Sequence, residues 1–331
     1  MDDIRFKSFR IHADKSSHRA GVEEIRIGEL SPGEVTVKAA YSSVNYKDAL
    51  AGSGKGKILR KSPLNGGIDV AGTVVASTDT AFKEGDQVVC TGSGLSETRD
   101  GGYAEYARLE SKWTIPLPKT LSLRDAMIIG TAGFTAALSL YRMTQNGQRP
   151  EMGPIVVTGA TGGVGQLAID ILTQAGFEAH AISGKIEHFD DLIALGAKQC
   201  ISTKDLYWGQ RPLETSKWGG AIDNVGGDML AGLTRVIHPY GNIASCGNAA
   251  AIELQTTVMP FILRGVSLLG IASAGTARDI RDEIWKRLAS DWKPAHLDCI
   301  ATDEVTLDGL PAVFDKMTGG GSFGRTVVKI G

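Results

Sequence analysis

The sequence predicts a two-domain α/β protein: a compact β-barrel, then a doubly wound parallel sheet. Three observations predict it. Residues 1–125 consist of short β-prone runs separated by glycine-bearing turns. From about residue 126 strands alternate with helices at the spacing of βαβ units. Residues 324–330 (GRTVVKI) read as a strand again, expected to return to the first domain. The predicted division is a barrel domain at 1–125, completed by 299–331, and a parallel-sheet domain at 126–298.

In the barrel, strands are predicted at 34–40 (EVTVKAA), 70–77 (VAGTVVAS), 86–91 (DQVVCT) and 102–109 (GYAEYARL). Ser31-Pro32-Gly33, Lys83-Glu84-Gly85-Asp86 and Asp100-Gly101-Gly102 supply the turns. In the second domain the order is strand 155–158, helix 165–174, strand 177–183, helix 187–195, strand 221–225, helix 229–237 and strand 241–246. Gly176 and Gly196 stand where helix C-caps are expected.

Composition narrows the function. Length of 331 residues fits two domains. Lys and Arg number 35 against 37 Asp and Glu, a net charge of −2, which argues against nucleic acid or an anionic membrane as partner. The stretch MDDIRFKSFR has no apolar signal core. The longest uncharged stretches, 126–141, 152–169 and 236–252, are broken by glycines or fall short of a span, so no transmembrane helix is expected. Cys90, Cys200, Cys246 and Cys299 form neither a CxxC nor a cluster with histidine, so neither disulfides nor a cysteine-built zinc site is expected. A reducing, cytoplasmic location fits such free thiols. His12, His18, His180, His188, His238 and His296 form no cluster and read as structural or surface residues.

The strongest motif is Gly159-Ala160-Thr161-Gly162-Gly163-Val164-Gly165, running from strand 155–158 into a helix. Its rhythm is G-x-x-G-x-x-G rather than G-x-G-x-x-G. The physics is shared: a tight turn, close backbone approach to a pyrophosphate, and a helix N-terminus offering free N–H groups. The next strand ends Ser183-Gly184-Lys185. An NAD site places an acid there, on the ribose 2′-hydroxyl. A serine and a lysine suit a 2′-phosphate instead, so NADPH is the expected cofactor. Glu187 fits the start of the following helix.

At this point the chain resembles the medium-chain dehydrogenase/reductase superfamily, and within it the acryloyl-CoA reductases of the quinone-oxidoreductase-like branch. The resemblance rests on VNYKDAL (44–50), SGKGKI (53–58), GIDVAG (67–72), MIIGTAGFTA (127–136), VVTGATGGVG (156–165), AISG (181–184), TVMPFILR (257–264) and GRTVVK (324–329). It implies a GroES-like barrel as catalytic domain, a Rossmann domain for NADPH, and a homodimer. The zinc-dependent branch has a cysteine ligand before the first short helix and a Gly-His-Glu after it. The matching stretches here are Ser43-Val44-Asn45 and Gly67-Ile68-Asp69, and the four-cysteine lobe is missing, so the resemblance implies no zinc.

The implied chemistry is hydride transfer to the β-carbon of an alkene conjugated to a thioester, with protonation at the α-carbon. By resemblance Asn45 contacts the nicotinamide and its ribose. Tyr46, Lys47 and Asp48 are the nearest polar side chains, with Tyr46 and Asp48 as candidate participants. The alternative reading has Asp48 as a helix cap and Tyr46 as a packed ring. Lys55, Lys57 and Arg60, in a glycine-rich loop, suit the phosphates of CoA, or only solvent. The remaining expected cofactor contacts are Thr131, Gly159, Thr161, Gly162, Gly163, Val164, Asn224, Cys246, Gly247, Asn248, Ile271, Ala272 and Arg325. Arg325 is expected to reach the cofactor or the acyl-CoA, while Cys246 reads as a small hydrophobe rather than a catalytic thiol. Residues 266–272 (VSLLGIA) are the expected edge strand across a two-fold. The alternatives are a quinone or small-enone reductase, and a non-catalytic NADPH-binding protein.

Overall fold

Apolar residues alternating with polar ones give Arg5–Ala13 and Val35–Ser43 the period-two faces of strands. The structure, a computed structural model, describes residues 3–14 and 17–331; Met1 and Asp2 of the N-terminal stretch read above lie outside them. The chain forms two units. One comprises Met1–Thr131, Ala274–Trp285 and Leu297–Gly331; the other comprises Ala132–Ser273 and Lys286–His296.

The first unit begins with β1 (Arg5–Ala13), β2 (His18–Arg26), β3 (Val35–Ser43), α1 (Tyr46–Ser53), β4 (Leu64–Asn65), β5 (Asp69–Ser77), β6 (Gln87–Thr91), β7 (Tyr106–Leu109) and β8 (Ile115–Pro116). Helix α2 (Leu123–Gln145) follows, broken at Gly130 (φ 47°, ψ −155°). Its 23 residues exceed the short apolar stretch read from sequence and are long enough to cross a membrane. However, 83% of its most apolar window is buried inside the protein, as in a core helix.

The second unit carries β9 (Ile155–Thr158), α3 (Gly163–Gln174), β10 (Ala179–Ser183), α4 (Phe189–Ala194), β11 (Ala197–Ser202), β12 (Trp218–Asp223), α5 (Gly227–Val236), β13 (Ile237–Ser245), α6 (Met259–Arg264) and β14 (Ser267–Gly270). Its six strands are parallel in the order β11-β10-β9-β12-β13-β14. The order reverses between β9 and β12, the switch point at which such sheets bind ligands. All four side chains of β9 are buried, the apolar run Ile155-Val156-Val157 closed by Thr158, as in a strand covered on both faces. Val156, Ile182, Trp218, Leu233, Ile237 and Ile243 form the core.

The chain ends with α7 (Arg278–Leu288), α8 (Leu297–Ile300), β15 (Ala301–Val305), α9 (Leu310–Thr318) and β16 (Arg325–Lys329). β16 pairs antiparallel with β3, Val327 opposite Ser43, so the tail returns to the first unit as expected. The main sheet of that unit runs β15-β16-β3-β5-β6-β8, with β7 also on β3; a smaller sheet runs β2-β1-β4. One core cluster gathers Val35, Val37, Val70, Val74 and Leu109, and another Phe9, Ile11, Tyr103, Leu310 and Phe314.

Two expectations need correction. The β1–β2 hairpin falls where no strand was expected, because charges alternating with apolar residues are themselves the pattern of a strand with one wet face. The strand expected over 102–109 forms only from Tyr106. Before it, the Gly102 and Tyr103 N–H groups donate to the Gly67 and Gly66 carbonyls (2.8 and 2.9 Å), crossing another backbone instead of joining the ladder beside β3.

Candidate active site

In the second unit, β9 ends at Thr158 and the chain turns through Gly159 and Gly162 into α3. A Cβ on Gly165 would lie 2.5 Å from the Gly159 carbonyl oxygen and 2.6 Å from the Ala160 Cα, so only glycine lets α3 start this close to the loop. The loop leaves backbone N–H groups and the positive end of α3 at the switch point, which fits a diphosphate.

The loop meets the end of β10 through Thr161 Oγ1 and Ser183 Oγ, 3.1 Å apart and both buried. Ser183 Oγ also accepts the Lys185 N–H (3.1 Å). Because β11 lies beside β10, Thr203 Oγ1 falls 3.2 Å from where a Cβ on Gly184 would be, and Lys204 follows it, exposed. Sequence reading missed these two residues along with β11 itself, a short edge strand of mixed polarity. The polar ensemble of Thr161, Ser183, Lys185, Thr203 and Lys204 carries hydroxyls and ammonium groups, the donor set for a phosphate monoester. Beside it lies a pocket of about 640 Å³ whose walls include Thr203, Leu206, Val225 and Met229.

At the end of β12, the Asn224 side-chain amide donates to the Thr158 carbonyl (2.8 Å), and its Oδ1 accepts the Cys246 thiol (3.1 Å). Burial pushes the Cys246 thiol up to about 12, with the charge of Asp223 adding to the effect. A thiol so held is a protonated donor and not a nucleophile. Gly247 follows half-buried, Asn248 and Ala272 are exposed, and the Ile271 N–H donates to the Ser245 carbonyl (3.0 Å).

In the first unit a polar cluster gathers under α1. Asp69, fully buried, accepts from Ser43 Oγ (2.7 Å), Asn45 Nδ2 (2.7 Å), Thr131 Oγ1 (2.6 Å) and the Thr131 N–H (2.9 Å). Arg325 lies 4.0 Å from Asp69 and donates to the carbonyls of Ile128 (3.0 Å) and Val44 (2.9 Å), to Ser43 Oγ (2.7 Å) and to Asn45 Oδ1 (3.0 Å). Tyr103, buried, donates its hydroxyl to the Ser43 carbonyl (3.1 Å). Nothing in the sequence points to Tyr103, and Asp69 stands out there only as the residue where another branch has a glutamate.

Asp48 accepts the Asn45 N–H (2.9 Å), the Ile68 N–H (2.9 Å) and Asn45 Nδ2 (3.2 Å). Burial, and after it the charge of Asp69, lift its carboxyl to about 7. With 1% of its surface exposed, Asp48 does not reach a substrate. Its role as a direct participant gives way to that of partner in the capping box of α1, accepting the N–H of the cap residue Asn45. Arg325 is corrected likewise. It is 3% exposed and its donors are spent within the protein, so it does not extend to a ligand. Tyr46 is the contrast: 54% exposed at the first position of α1, its hydroxyl without a partner among the described residues.

In the basic loop, Lys55 Nζ donates to Thr318 Oγ1 (2.7 Å) and Arg60 pairs with Glu97 (2.9 Å) while staying largely exposed. Lys57 is exposed and unpaired among the described residues. Among the described residues no three His, Cys, Asp or Glu side chains are grouped to hold a metal ion.

Comparison with known proteins agrees with this architecture. Residues 31–119 match the alcohol dehydrogenase GroES-like domain, and residues 163–290 match the family described as zinc-binding dehydrogenase. The putative quinone oxidoreductase YhfP of Bacillus subtilis is 44% identical, over 98% of this chain and 99% of the relative. A crystal structure of that protein with NAD bound superposes with a TM-score of 0.95, covering 99% of this chain and all of the other. The probable acrylyl-CoA reductase AcuI of Escherichia coli is 43% identical, over 94% and 95% of the two chains. The yhdH oxidoreductase of Salmonella enterica, crystallised with NADP, is 43% identical, with a TM-score of 0.94 over 98% and 100%.

Proposed function

The chain belongs to the medium-chain dehydrogenase/reductase family of oxidoreductases, and from that premise we propose that it reduces the C=C bond of acryloyl-CoA to propionyl-CoA with NADPH and without a metal. The observation that carries this reading is the exposed, unpartnered Tyr46 hydroxyl at the start of α1. NADPH, when bound, supplies a hydride for the β-carbon. Tyr46 then gives its proton to the α-carbon and recovers it from water. The first turn of α1 favours negative charge developing on the thioester oxygen. Ser43 and Asp69, bonded to one another, are used up inside the cluster, which supports chemistry without a metal.

Gly159, Thr161, Gly162, Gly163 and Val164 hold the diphosphate. Ser183 and Lys185, joined by Thr203 and Lys204, hold the 2′-phosphate, and the pocket beside Leu206 and Val225 takes the adenine. Asn224, Cys246, Gly247, Asn248, Ile271 and Ala272 serve the nicotinamide half. Lys55, Lys57 and Arg60 meet the phosphates of CoA, Lys57 being the one without a partner among the described residues. The protein acts as a homodimer through the open edge of β14, where Leu268, Ile262 and Leu263 are exposed.

Steady-state oxidation of NADPH with acryloyl-CoA, crotonyl-CoA and a naphthoquinone tests the reading. Acryloyl-CoA is expected to give the highest kcat/KM, and Tyr46→Phe to lower kcat by about 100-fold. Turnover of the quinone alone would establish the second reading, quinone reduction, which the name of the Bacillus relative favours. Binding of NADPH with no turnover of any of the three would leave the non-catalytic alternative.

A further inference from the structure

We infer that Asp69 and Arg325 are a pair of positioning residues that lock the Asn45 side chain in one orientation and thereby fix the site from which Tyr46 acts. The inference rests on the reductase reading above. Neither residue touches solvent appreciably, so neither meets a substrate; both act through Asn45.

The argument is one of donors and acceptors. A side-chain amide has two N–H donors and one acceptor oxygen. Both donors of Asn45 go to carboxylates, Asp69 at 2.7 Å and Asp48 at 3.2 Å. The oxygen accepts from the Arg325 guanidinium at 3.0 Å. A guanidinium only donates, so turning the amide over would set N–H against N–H, and its oxygen against carboxylate oxygens. Buried groups left in such opposition carry the full desolvation cost. One rotamer of the amide is therefore imposed, and Asn45 is the cap residue immediately before Tyr46.

The same pair ties together segments far apart in sequence. Through Asp69 and Arg325, the end of β3, the start of α1, the start of β5, the break in α2 and the start of β16 meet at one point. Gly130 makes that meeting possible. A Cβ there would lie 2.7 Å from Asp69 Oδ2, 2.8 Å from Arg325 Nη2 and 2.8 Å from Ser43 Oγ. Its positive φ adds a second reason for glycine.

The test is a double-mutant cycle joined to a measurement on the cofactor-free protein. Asp69→Asn and Asn45→Ala are each expected to lower kcat by about tenfold or more, and in Asp69→Asn KM for acryloyl-CoA and Kd for NADPH stay within about twofold. The double variant is expected to be no slower than the slower single one, because Asp69 acts through Asn45. Multiplying losses would overturn the inference. In protein labelled with 15N-asparagine, the Asn45 Nδ2 protons are expected to exchange slowly, and about tenfold faster in Asp69→Asn. Unchanged exchange in that variant would equally overturn it. If Asp69→Asn does not fold, Thr131→Val removes the 2.6 Å donor to Asp69 and is expected to shift kcat and exchange in the same directions. Failure of wild-type protein to reduce acryloyl-CoA sinks the reductase reading alone, since the exchange arm needs no substrate.

Discussion

The glycine loop of the second unit and the polar cluster of the first prepare a site by opposite means. The loop works with backbone. Residues 159–165 follow one another, the Ala160 and Gly162 N–H groups closing the turn on backbone carbonyls, and its shape depends on what is missing, a Cβ at Gly165. The cluster works with side chains. Ser43, Asn45, Asp48, Asp69, Thr131 and Arg325 come from distant segments, and nearly every donor and acceptor is already spent among them. On the proposed reading the loop receives charge from outside. The cluster is made to hold its own shape, and passes outward only what Asn45 and Tyr46 present. A backbone site should therefore tolerate change in side chains that it does not contain, whereas a side-chain network should fail as a unit.

The largest effect that sharpens this contrast is expected from Arg325→Met. It leaves Asp69 without its buried counter-charge and the Ile128 and Val44 carbonyls without their buried donor, and should cost about 3–5 kcal/mol. Urea unfolding monitored by tryptophan fluorescence measures it; a loss below about 1 kcal/mol would mean that the cluster is not held as a unit.

Next is the pH dependence of Asp48. Its carboxyl ionises at about 7 in the folded chain against 3.8 as the reference value. Between those limits the folded protein keeps a proton that the unfolded chain has released. Stability therefore falls as pH rises, by up to about 1.4 kcal/mol per unit, and levels off above about 7. Asp48→Asn lacks this slope. Unfolding of both proteins from pH 4.5 to 8 should show the wild-type advantage shrinking with pH, and a difference that stays constant would refute the buried-proton account.

Gly165→Ala is smaller and local. Its methyl group meets backbone that cannot step aside, costing about 1–3 kcal/mol. Affinity for NADPH, read by fluorescence titration, should fall, while the slow exchange of the Asn45 side chain persists. Loss of that exchange protection would show the two regions to be one cooperative structure. The smallest effect is expected at the rim: Lys185→Glu should weaken NADPH relative to NADH by about tenfold, or ~1.4 kcal/mol. Equal effects on both coenzymes would remove Lys185 from the 2′-phosphate site.

The same contrast explains what could be read in advance. The loop, the end of β10 at Ser183 and Lys185, and the return of β16 were legible because strand, glycine turn and helix are neighbours in the chain. Asn45, Tyr46 and Asp48 were legible as a polar run, yet their roles were not. Which of these three residues faces solvent depends on α1, whose first turn is exposed at Tyr46 and buried at Asp48. Asp69 and Tyr103 carry no local pattern at all. Their significance comes from partners brought together by the sheet, and Gly130 looks like any small residue in an apolar helix until the carboxylate beside it is located.

The position of Arg325 in β16 has a consequence for synthesis. The guanidinium that completes the cluster belongs to the last of the described strands to leave the ribosome, while Asp69 is among the early ones. At about 5–20 residues per second, roughly 10–50 s pass between the two. Throughout that interval the nascent chain has the carboxylates of its first unit without their cation. The second unit, whose residues precede β16, can meanwhile acquire its fold. A prematurely terminated product would thus be able to load a nucleotide and yet lack a set catalytic junction.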